Sequence, residues 1–468
     1  MTLPLRPSSL VYRLVAIIAV ACLLLSPSGW LGRPAASAPL PGLPIPSTPA
    51  GERLSWILGA VNRGGEGLTE AAVQRRFTED YLSALPPAAL ISDVVTYLVP
   101  IAPVSIARIE GGITETRAHV LLLGAGGQVW RFVLEVEPVS PHRVTTLYFL
   151  PVTIAAPSPK APRSWSSLRR HVQRLAPGVS FMAAEVHDGS CQPVVAVNPD
   201  LPLAIASSFK LYVLGELARQ IASGEAQWDE PLTLRDALKS LPSGNLLYWP
   251  DGSVLPLQYY AERMIAESDN TATDHLIHRL GRRNVEAMMV AMAHAEPERN
   301  RPLLLTREWF AIKLRLRPED VRRYLAAGET EKRDMLRHEI DPLADTLWDG
   351  ETWTGPYLID TIEWFASASD LCRAMASLHE MASQPGLAPV AGALSLEPGI
   401  VFDPAIWTYV GHKSGYETGV KSNVWLLQRS DGRWFVLAGI INDPRKEING
   451  AGLADLMVAA AALLAEIP

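Results

Sequence analysis

Ser207 and Lys210 are residues whose types and spacing could do nucleophilic chemistry. Side chains three residues apart lie on the same face of a helix, so the hydroxyl and the amine could meet. The residues from Phe209 to Ile221 are largely apolar and predict a helix buried in a large domain. A buried ammonium must be paired or lose its proton, and a serine beside such an amine can become an activated nucleophile. The same spacing also arises by chance, so the pair needs support from elsewhere in the chain.

Two further polar motifs follow in the sequence. Ser268-Asp269-Asn270 lies between two predicted helices, where it could act simply as a helix cap. Lys413-Ser414-Gly415 follows a predicted strand and could be an ordinary exposed strand end. In this order, Ser-x-x-Lys, Ser-Asp-Asn and Lys-Ser-Gly are far more specific together than any of them is alone.

The three motifs resemble the signature of the class A β-lactamase family of penicillin-recognising serine hydrolases, over residues 165–468. The resemblance implies an α+β catalytic domain, in which helices and an all-helical subdomain flank an antiparallel sheet. The arrangement of domains also resembles the two-domain protein of the clavulanic acid pathway and related mycobacterial lipoproteins. That likeness implies a small N-terminal α+β domain of steroid-isomerase or cystatin type.

The resemblance assigns roles to particular residues. It implies that Ser207 forms an acyl-enzyme, that Lys210 takes the serine proton, and that Ser268 relays a proton to the leaving group. The backbone N–H groups of Ser207 and Tyr416 would form the oxyanion hole. The substrate-binding residues that it implies are Asn270, Lys413, Ser414, Gly415 and Tyr416. Tyr416 is bulky where a small residue is usual, which favours a differently shaped pocket.

The glutamate that hydrolyses the acyl-enzyme in class A enzymes has two candidates here. Glu296 begins a Glu-x-x-x-Asn pattern in a proline-bounded loop, and Glu308 lies further from Ser268. Either could instead be a solvated loop acid or a glutamate at a helix N-terminus. We therefore expect slow deacylation. The charged segment 315–337 lengthens this region and predicts a lid or a surface insertion.

The function that we expect is an exported β-lactamase-like serine hydrolase acting on β-lactams or related amides and esters. A D-alanyl-D-alanine peptidase acting on cell-wall peptides is one alternative. A non-catalytic protein that binds penicillin or another ligand is the other. The physiological substrate stays open at this stage.

The chain divides into five predicted segments. Residues 1–37 read as an export signal and 38–50 as a Pro-rich linker. Residues 51–154 show helical periodicity followed by strand periodicity, which predicts the N-terminal α+β domain. A second Pro-rich linker, 155–164, precedes the catalytic domain, 165–468. If the leader is not cleaved, its apolar run, 14–25, could anchor the protein to a membrane.

The charge and the motifs of the chain limit the classes of partner and cofactor that we expect. The net charge is −7 and no long basic run occurs, so neither nucleic acid nor an anionic membrane surface is an expected partner. No cofactor is expected, and His275 and His278 lack the glutamate of a zinc-binding His-Glu-x-x-His motif, so no metal is expected either. Cys191 and Cys372 could form a disulfide or remain buried thiols. The helical pattern around Cys372 favours thiols.

Overall fold

The computed structural model describes residues 43–347 and 350–468. The chain separates after Ile154 into two units with dense internal packing. The predicted export signal, its apolar run 14–25 and positions 38–42 of the first linker lie outside the described residues. None of the helices in the described part has the length and hydropathy that crossing a bilayer requires.

In its described residues, 43–154, the N-terminal unit contains four α-helices and a four-stranded antiparallel sheet whose strands are neighbours in chain order. Thr48 caps the first helix by accepting the N–H of Gly51, and its buried face includes Leu54 and Ile57. The helices are α1 (Pro49–Asn62), α2 (Glu70–Arg76), α3 (Glu79–Ala84) and α4 (Pro87–Asp93). The strands are β1 (Ser105–Ile113), β2 (Arg117–Leu123), β3 (Val129–Val136) and β4 (Val144–Pro151). The predicted order of helices before an antiparallel sheet is confirmed.

The second unit is organised around a five-stranded antiparallel sheet of order β11-β12-β13-β5-β6. Its strands are β5 (Gly178–His187), β6 (Ser190–Val197), β11 (Trp407–Glu417), β12 (Val420–Arg429) and β13 (Trp434–Asn442). The three central strands, β12, β13 and β5, are buried along most of their length because both faces of the sheet are covered there. Short pairs join β7 (Leu203–Ala204) to β10 (Phe365–Ala366) and β8 (Pro231–Thr233) to β9 (Val254–Pro256).

Two helices cover one face of this sheet, and their apolar residues share a core with Phe181 and Leu437. They are α5 (Trp165–Val172) and α16 (Gly450–Ala465). A larger core on the other face holds the helix that follows Ser207. The helices on that side are α6 (Lys210–Ala222), α7 (Leu257–Ala266), α8 (Asn270–Leu280), α9 (Arg282–Ala291), α10 (Thr306–Arg315), α11 (Pro318–Ala326), α12 (Glu329–Met335), α13 (Asp341–Ala344), α14 (Ala368–Ala382) and α15 (Ala388–Ser395).

The charged segment 315–337 forms α11, α12 and the beginning of the next helical turn. Val321 and Tyr324 of α11 and Met335 of α12 are buried in the larger core. The sequence predicted either a lid or a surface insertion for this segment. The structure agrees with a surface insertion, because the apolar sides of both helices are packed against the core.

Cys191 and Cys372 form a disulfide, so the preference for thiols was wrong. Cys191 lies on the outer strand β6, and Cys372 lies on α14, which packs across the sheet. Their Cα atoms are 6.3 Å apart, within the range that a disulfide spans. The sequence separation of 181 residues concealed this proximity, which only the packing of α14 on β6 creates.

Candidate active site

Ser207 lies in a tight turn, residues 205–209, between β7 and α6, here called the Ser207 turn. Ser207 itself is half-buried. The preceding Ala206 has φ +44°, a left-handed conformation that costs a non-glycine residue free energy. The hydroxyl of Ser422 on β12 donates to the carbonyl of Ile205 over 2.7 Å, and it also lies 2.7 Å from the Ser208 hydroxyl. These contacts attach the turn to the sheet.

The Lys210 side chain is fully buried beside this turn. Its Nζ donates to the carbonyl of Ser268 over 2.5 Å, to Ser268 Oγ over 3.2 Å and to Asn270 Oδ1 over 2.7 Å. None of these three hydrogen bonds is to Ser207, whose hydroxyl was predicted to meet this amine. Within the described ranges no carboxylate forms an ion pair with this amine. Burial lowers the pKa of Lys210 to about 7, although the charges of Asp269 and Asp274 oppose the shift.

Ser268 is held in a strained turn before α8. Its φ is +58°, and Asp269 caps α8 by accepting the N–H of Ala272 over 2.7 Å. The Asn270 side chain, which accepts from Lys210, also donates to the carbonyl of Leu241 over 2.9 Å. Ser243, on the neighbouring loop, donates to the carbonyl of Ser268 over 2.7 Å. Sequence reasoning missed Ser243, since no motif surrounds it.

Strand β11 brings the third motif to the same place. Lys413 Nζ donates to Ser268 Oγ over 3.0 Å and to the Ser414 carbonyl over 2.7 Å. Burial, followed by the charges of Lys210 and Lys421, holds the pKa of Lys413 well below its usual value. The Ser268 hydroxyl therefore contacts both predicted amines, and Ser414 lies half-buried beside them.

Gly415 and Tyr416 differ in how they meet the Ser207 turn. A Cβ on Gly415 would lie 2.0 Å from the Ile205 carbonyl oxygen and 2.9 Å from the Ser207 backbone nitrogen. Only glycine therefore allows the strand to approach the turn this closely. The Tyr416 side chain is exposed, and its hydroxyl donates to Glu447 over 2.7 Å.

The two predicted deacylation glutamates are not part of this group. Glu296 is exposed, and its backbone N–H donates to His294. Glu308 is buried and performs a structural task, because it accepts the N–H of Leu305 over 2.9 Å and pairs with Arg282 over 2.6 Å. Both contacts belong to the N-terminus of α10. Of the two structural alternatives that the sequence left open, Glu308 is therefore the glutamate at a helix N-terminus.

Asp274 and Thr306 occupy the space between α8 and α10, and sequence reasoning missed both. The Asp274 carboxyl accepts the N–H groups of Thr306 over 2.7 Å and Arg307 over 2.9 Å. The Thr306 hydroxyl donates to Ser240 Oγ over 2.8 Å and lies 3.3 Å from the Asn270 carbonyl oxygen. Burial raises the pKa of Asp274 to about 7. The sequence did contain one indication of Asp274, because it lies one helical turn after Asn270 and so on the same face of α8.

Lys421 is a further cation that sequence reasoning missed. It pairs with Tyr416 across β11 and β12, and its Nζ lies 5.9 Å from the centre of the Tyr416 ring. Burial lowers its pKa, and no acidic side chain of the described residues forms an ion pair with it. A largely buried lysine without a counter-ion, whose charge acts on Lys413, favours binding of an anion.

Of the two histidines on α8, His275 is buried and serves packing, whereas His278 is exposed. His275 Nδ1 lies 2.7 Å from the Thr271 carbonyl, and Nε2 accepts the N–H of Arg235 over 2.9 Å. Both ring nitrogens are therefore occupied, and burial lowers the pKa of this imidazole.

The arrangement can support acyl transfer. It contains an amine with a depressed pKa, a bridging hydroxyl and a serine on a turn that touches strand β11. Comparison with known proteins agrees with this geometry, since residues 167–466 match the family model described as the beta-lactamase enzyme family. The chain belongs to the beta-lactamase enzyme family. Residues 45–138 match a second model, the ORF 12 gene product N-terminal domain.

Several solved structures are similar to this chain. A beta-lactamase from Sphaerobacter thermophilus is 21% identical with a TM-score of 0.46, covering 65% of this chain and 99% of its own. A point mutant of PBP-A, in an acyl-enzyme complex with penicillin G, is 17% identical with a TM-score of 0.43, covering 64% and 96%. A beta-lactamase from Francisella tularensis is 12% identical with a TM-score of 0.44, covering 64% and 97%. No curated protein matches the chain.

Proposed function

We propose that this protein is an exported serine hydrolase that forms an acyl-enzyme on Ser207 with β-lactams or related amides and esters. The observation that carries the proposal is the Lys210 amine, which is buried, has a pKa of about 7 and shares Ser268 with Lys413. A neutral amine at this position can accept a proton at physiological pH.

The acylation step uses three groups in sequence. Ser207 Oγ bonds to the substrate carbonyl carbon while its proton passes to Lys210 Nζ. The oxyanion forms against the backbone N–H groups of Ser207 and Tyr416, each worth about 3 kcal/mol. The carbon–nitrogen or carbon–oxygen bond then breaks, and Ser268 passes a proton to the leaving atom. Ser268 is reprotonated from Lys210, which it contacts over 3.2 Å.

Substrate binding rests on the cations of β11 and β12. Lys413 and Ser414 would hold a substrate carboxylate, and Lys421 adds positive charge nearby. The Asn270 amide orients Lys210. Hydrolysis of the acyl-enzyme is slow, because Glu308 is held by Arg282 and the Leu305 N–H, Glu296 is exposed, and neither side chain contacts Lys210 or Ser268.

Export is the second part of the proposal. The predicted signal at residues 1–37 supports it, and so does the disulfide between Cys191 and Cys372, since such bonds persist in oxidising compartments. Detection of the mature protein outside the cytoplasm, with its N-terminus near residue 38, tests this part. A cytoplasmic protein that retains residue 1 would contradict it.

A fluorescent penicillin tests the chemistry. We expect a covalent label on the parent protein and no label on Ser207→Ala. Ser208→Ala is the control and should be labelled, because the Ser208 hydroxyl contacts Ser422 and is not the proposed nucleophile. Parallel assays with nitrocefin, simple esters and D-alanyl-D-alanine peptides identify the preferred substrate. A folded parent protein that neither becomes labelled nor turns over any of these compounds would contradict the proposed function.

A further inference from the structure

Three charged side chains are buried together beside the Ser207 turn, and the acylation step uses none of them. Lys313 of α10 donates to both carboxyl oxygens of Glu417, each over 2.8 Å, and its Nζ lies 3.8 Å from Glu363 Oε1. The side chains of Lys313 and Glu363 are fully buried, and that of Glu417 is 4% exposed. We call Glu363, Glu417 and Lys313 the carboxyl cluster.

The cluster holds two carboxyls against one ammonium. Both carboxylates in ionised form would leave one net negative charge in the interior, which is costly. Glu363 Oε1 is buried and receives no hydrogen bond from any N–H or hydroxyl of the described residues. Burial, followed by the charge of Glu363, raises the pKa of Glu417 to about 10. One proton held between the two carboxyls neutralises the cluster and satisfies Glu363 Oε1.

The other oxygen of Glu363 reaches the Ser207 turn. Glu363 Oε2 accepts the backbone N–H of Ala206 over 3.2 Å and that of Trp364 over 3.1 Å. Ala206 is the residue in the left-handed conformation, and its peptide leads directly into Ser207. The hydrogen bond from Ala206 therefore fixes the direction of the chain immediately before the Ser207 N–H.

The same cluster reaches strand β11. Glu417 follows Gly415 by two residues, so both face the same side of the strand. Gly415 is the residue that touches the Ser207 turn. Tyr416, which offers the second backbone N–H, lies between them. The cluster is thus attached to both chain segments that would form the oxyanion hole.

We propose that Glu363 is a positioning residue which, through its shared proton with Glu417 and the charge of Lys313, sets the separation of the Ser207 and Tyr416 N–H groups. This inference rests on the proposed function, since it concerns the oxyanion hole of that reaction. A purely structural ion cluster would change the stability of the protein but not the hydrogen bonding of an acyl carbonyl.

The infrared stretching band of the acyl carbonyl, from a substrate labelled with ¹³C at that atom, measures the hydrogen bonds in the oxyanion hole. We expect Glu363→Ala to shift this band to higher frequency and to slow acylation by about 10- to 100-fold, part of what one lost donor costs. The affinity for the non-covalent complex should change little. Glu417→Ala truncates the other arm of the cluster and serves the same test if Glu363→Ala does not fold.

Two variants separate positioning from stability. In Glu363→Gln the amide oxygen can accept the Ala206 N–H and the amide N–H can replace the shared proton, so we expect a band and a rate close to those of the parent. Glu286→Ala is the matched control, because Glu286 is equally buried, accepts the Leu303 N–H over 2.9 Å and pairs with Arg333. It should lower the melting temperature without moving the band.

The outcomes distinguish the two proposals. A parent protein that forms no acyl-enzyme contradicts the proposed function itself. A parent that acylates normally, together with a folded Glu363→Ala or Glu417→Ala variant whose band and rate equal those of the parent, overturns the inference alone. An equal band shift in Glu286→Ala would also overturn it, because the effect would then be general destabilisation.

Discussion

The same face of strand β11 meets two buried charged groups, one on each side of Gly415 along the strand. Before Gly415, Lys413 joins Lys210 at Ser268, and no carboxylate pairs with either amine in the described part of the chain. After Gly415, Glu417 joins Glu363, and one lysine serves both carboxyls. The first group has too much positive charge for its burial and the second has too much negative charge.

Burial shifts the pKa values of the two groups in opposite directions, in each case towards the neutral form. Burial lowers the pKa of Lys210 to about 7 and also lowers that of Lys413, whereas it raises the pKa of Glu417, so this carboxyl keeps its proton. The lesson is that one low-dielectric environment can produce a neutral base for proton transfer on one side and a neutral scaffold on the other. The following predictions test this division of labour.

The largest effect should come from removing the base. We expect Lys210→Met to slow acylation of Ser207 by about 10²- to 10⁴-fold, the usual contribution of a general base. Rapid-quench measurement of penicillin labelling gives the rate. Lys332→Met, on α12, is the control and should label at the parent rate. Labelling of Lys210→Met at the parent rate would show that the amine is not the base.

Gly415→Ala tests the junction between the two groups. The added Cβ would meet the Ile205 carbonyl oxygen at 2.0 Å, which forces the strand away from the Ser207 turn. A displacement of about 1 Å can cost 10²-fold in rate, so we expect a loss of that order in acylation. Gly328→Ala, where a Cβ has no neighbour within 4 Å, is the matched control. Equal rates for the two variants would exclude a close strand–turn contact in solution.

Glu417→Gln tests the acidic side through the pH dependence of stability. The folded pKa of Glu417 lies above its usual 4.5, at about 10, so the folded state binds the additional proton in this interval. Its contribution to stability is complete below pH 4.5 and is lost as the pH rises towards 10, by at most about 1.4 kcal/mol per pH unit. In denaturant unfolding from pH 6 to 9, the free energy of unfolding should therefore fall less steeply with pH in Glu417→Gln than in the parent protein. Identical slopes would contradict the retained proton.

The smallest effect on catalysis should come from the two glutamates. Glu296→Gln and Glu308→Gln should leave the deacylation rate unchanged, since neither side chain contacts Lys210 or Ser268. Glu308→Gln should lower the free energy of unfolding by about 1 kcal/mol, because it weakens the cap of α10. Mass spectrometry of the acyl-enzyme follows its decay. Accumulation of acyl-enzyme in either variant would reveal a deacylating glutamate.

The motifs and the order of elements could be predicted from the sequence because they depend on local pattern. The helix after Ser207 and the strands of the N-terminal unit follow from their apolar periodicity. The convergence of Ser207, Lys210, Ser268 and Lys413 followed only from resemblance, because the chain distance between these residues contains no geometric information.

What the sequence concealed depends on tertiary packing. Cys191 meets Cys372 only because α14 crosses the sheet, and Glu363 reaches Ala206 only because β10 pairs with β7. The roles of Glu308 and Asp274 depend on how α8 and α10 meet. No periodicity or short motif indicates such contacts.

The protonation state of Lys210 is the most direct test of the account. An NMR titration of protein labelled with ¹³C at the lysine ε carbon, with the Lys210 signal assigned by its absence in Lys210→Met, measures it in the unacylated protein. The account predicts a titration midpoint near pH 7. A Lys210 signal that remains that of a protonated amine up to about pH 10, the ordinary lysine value, would contradict it.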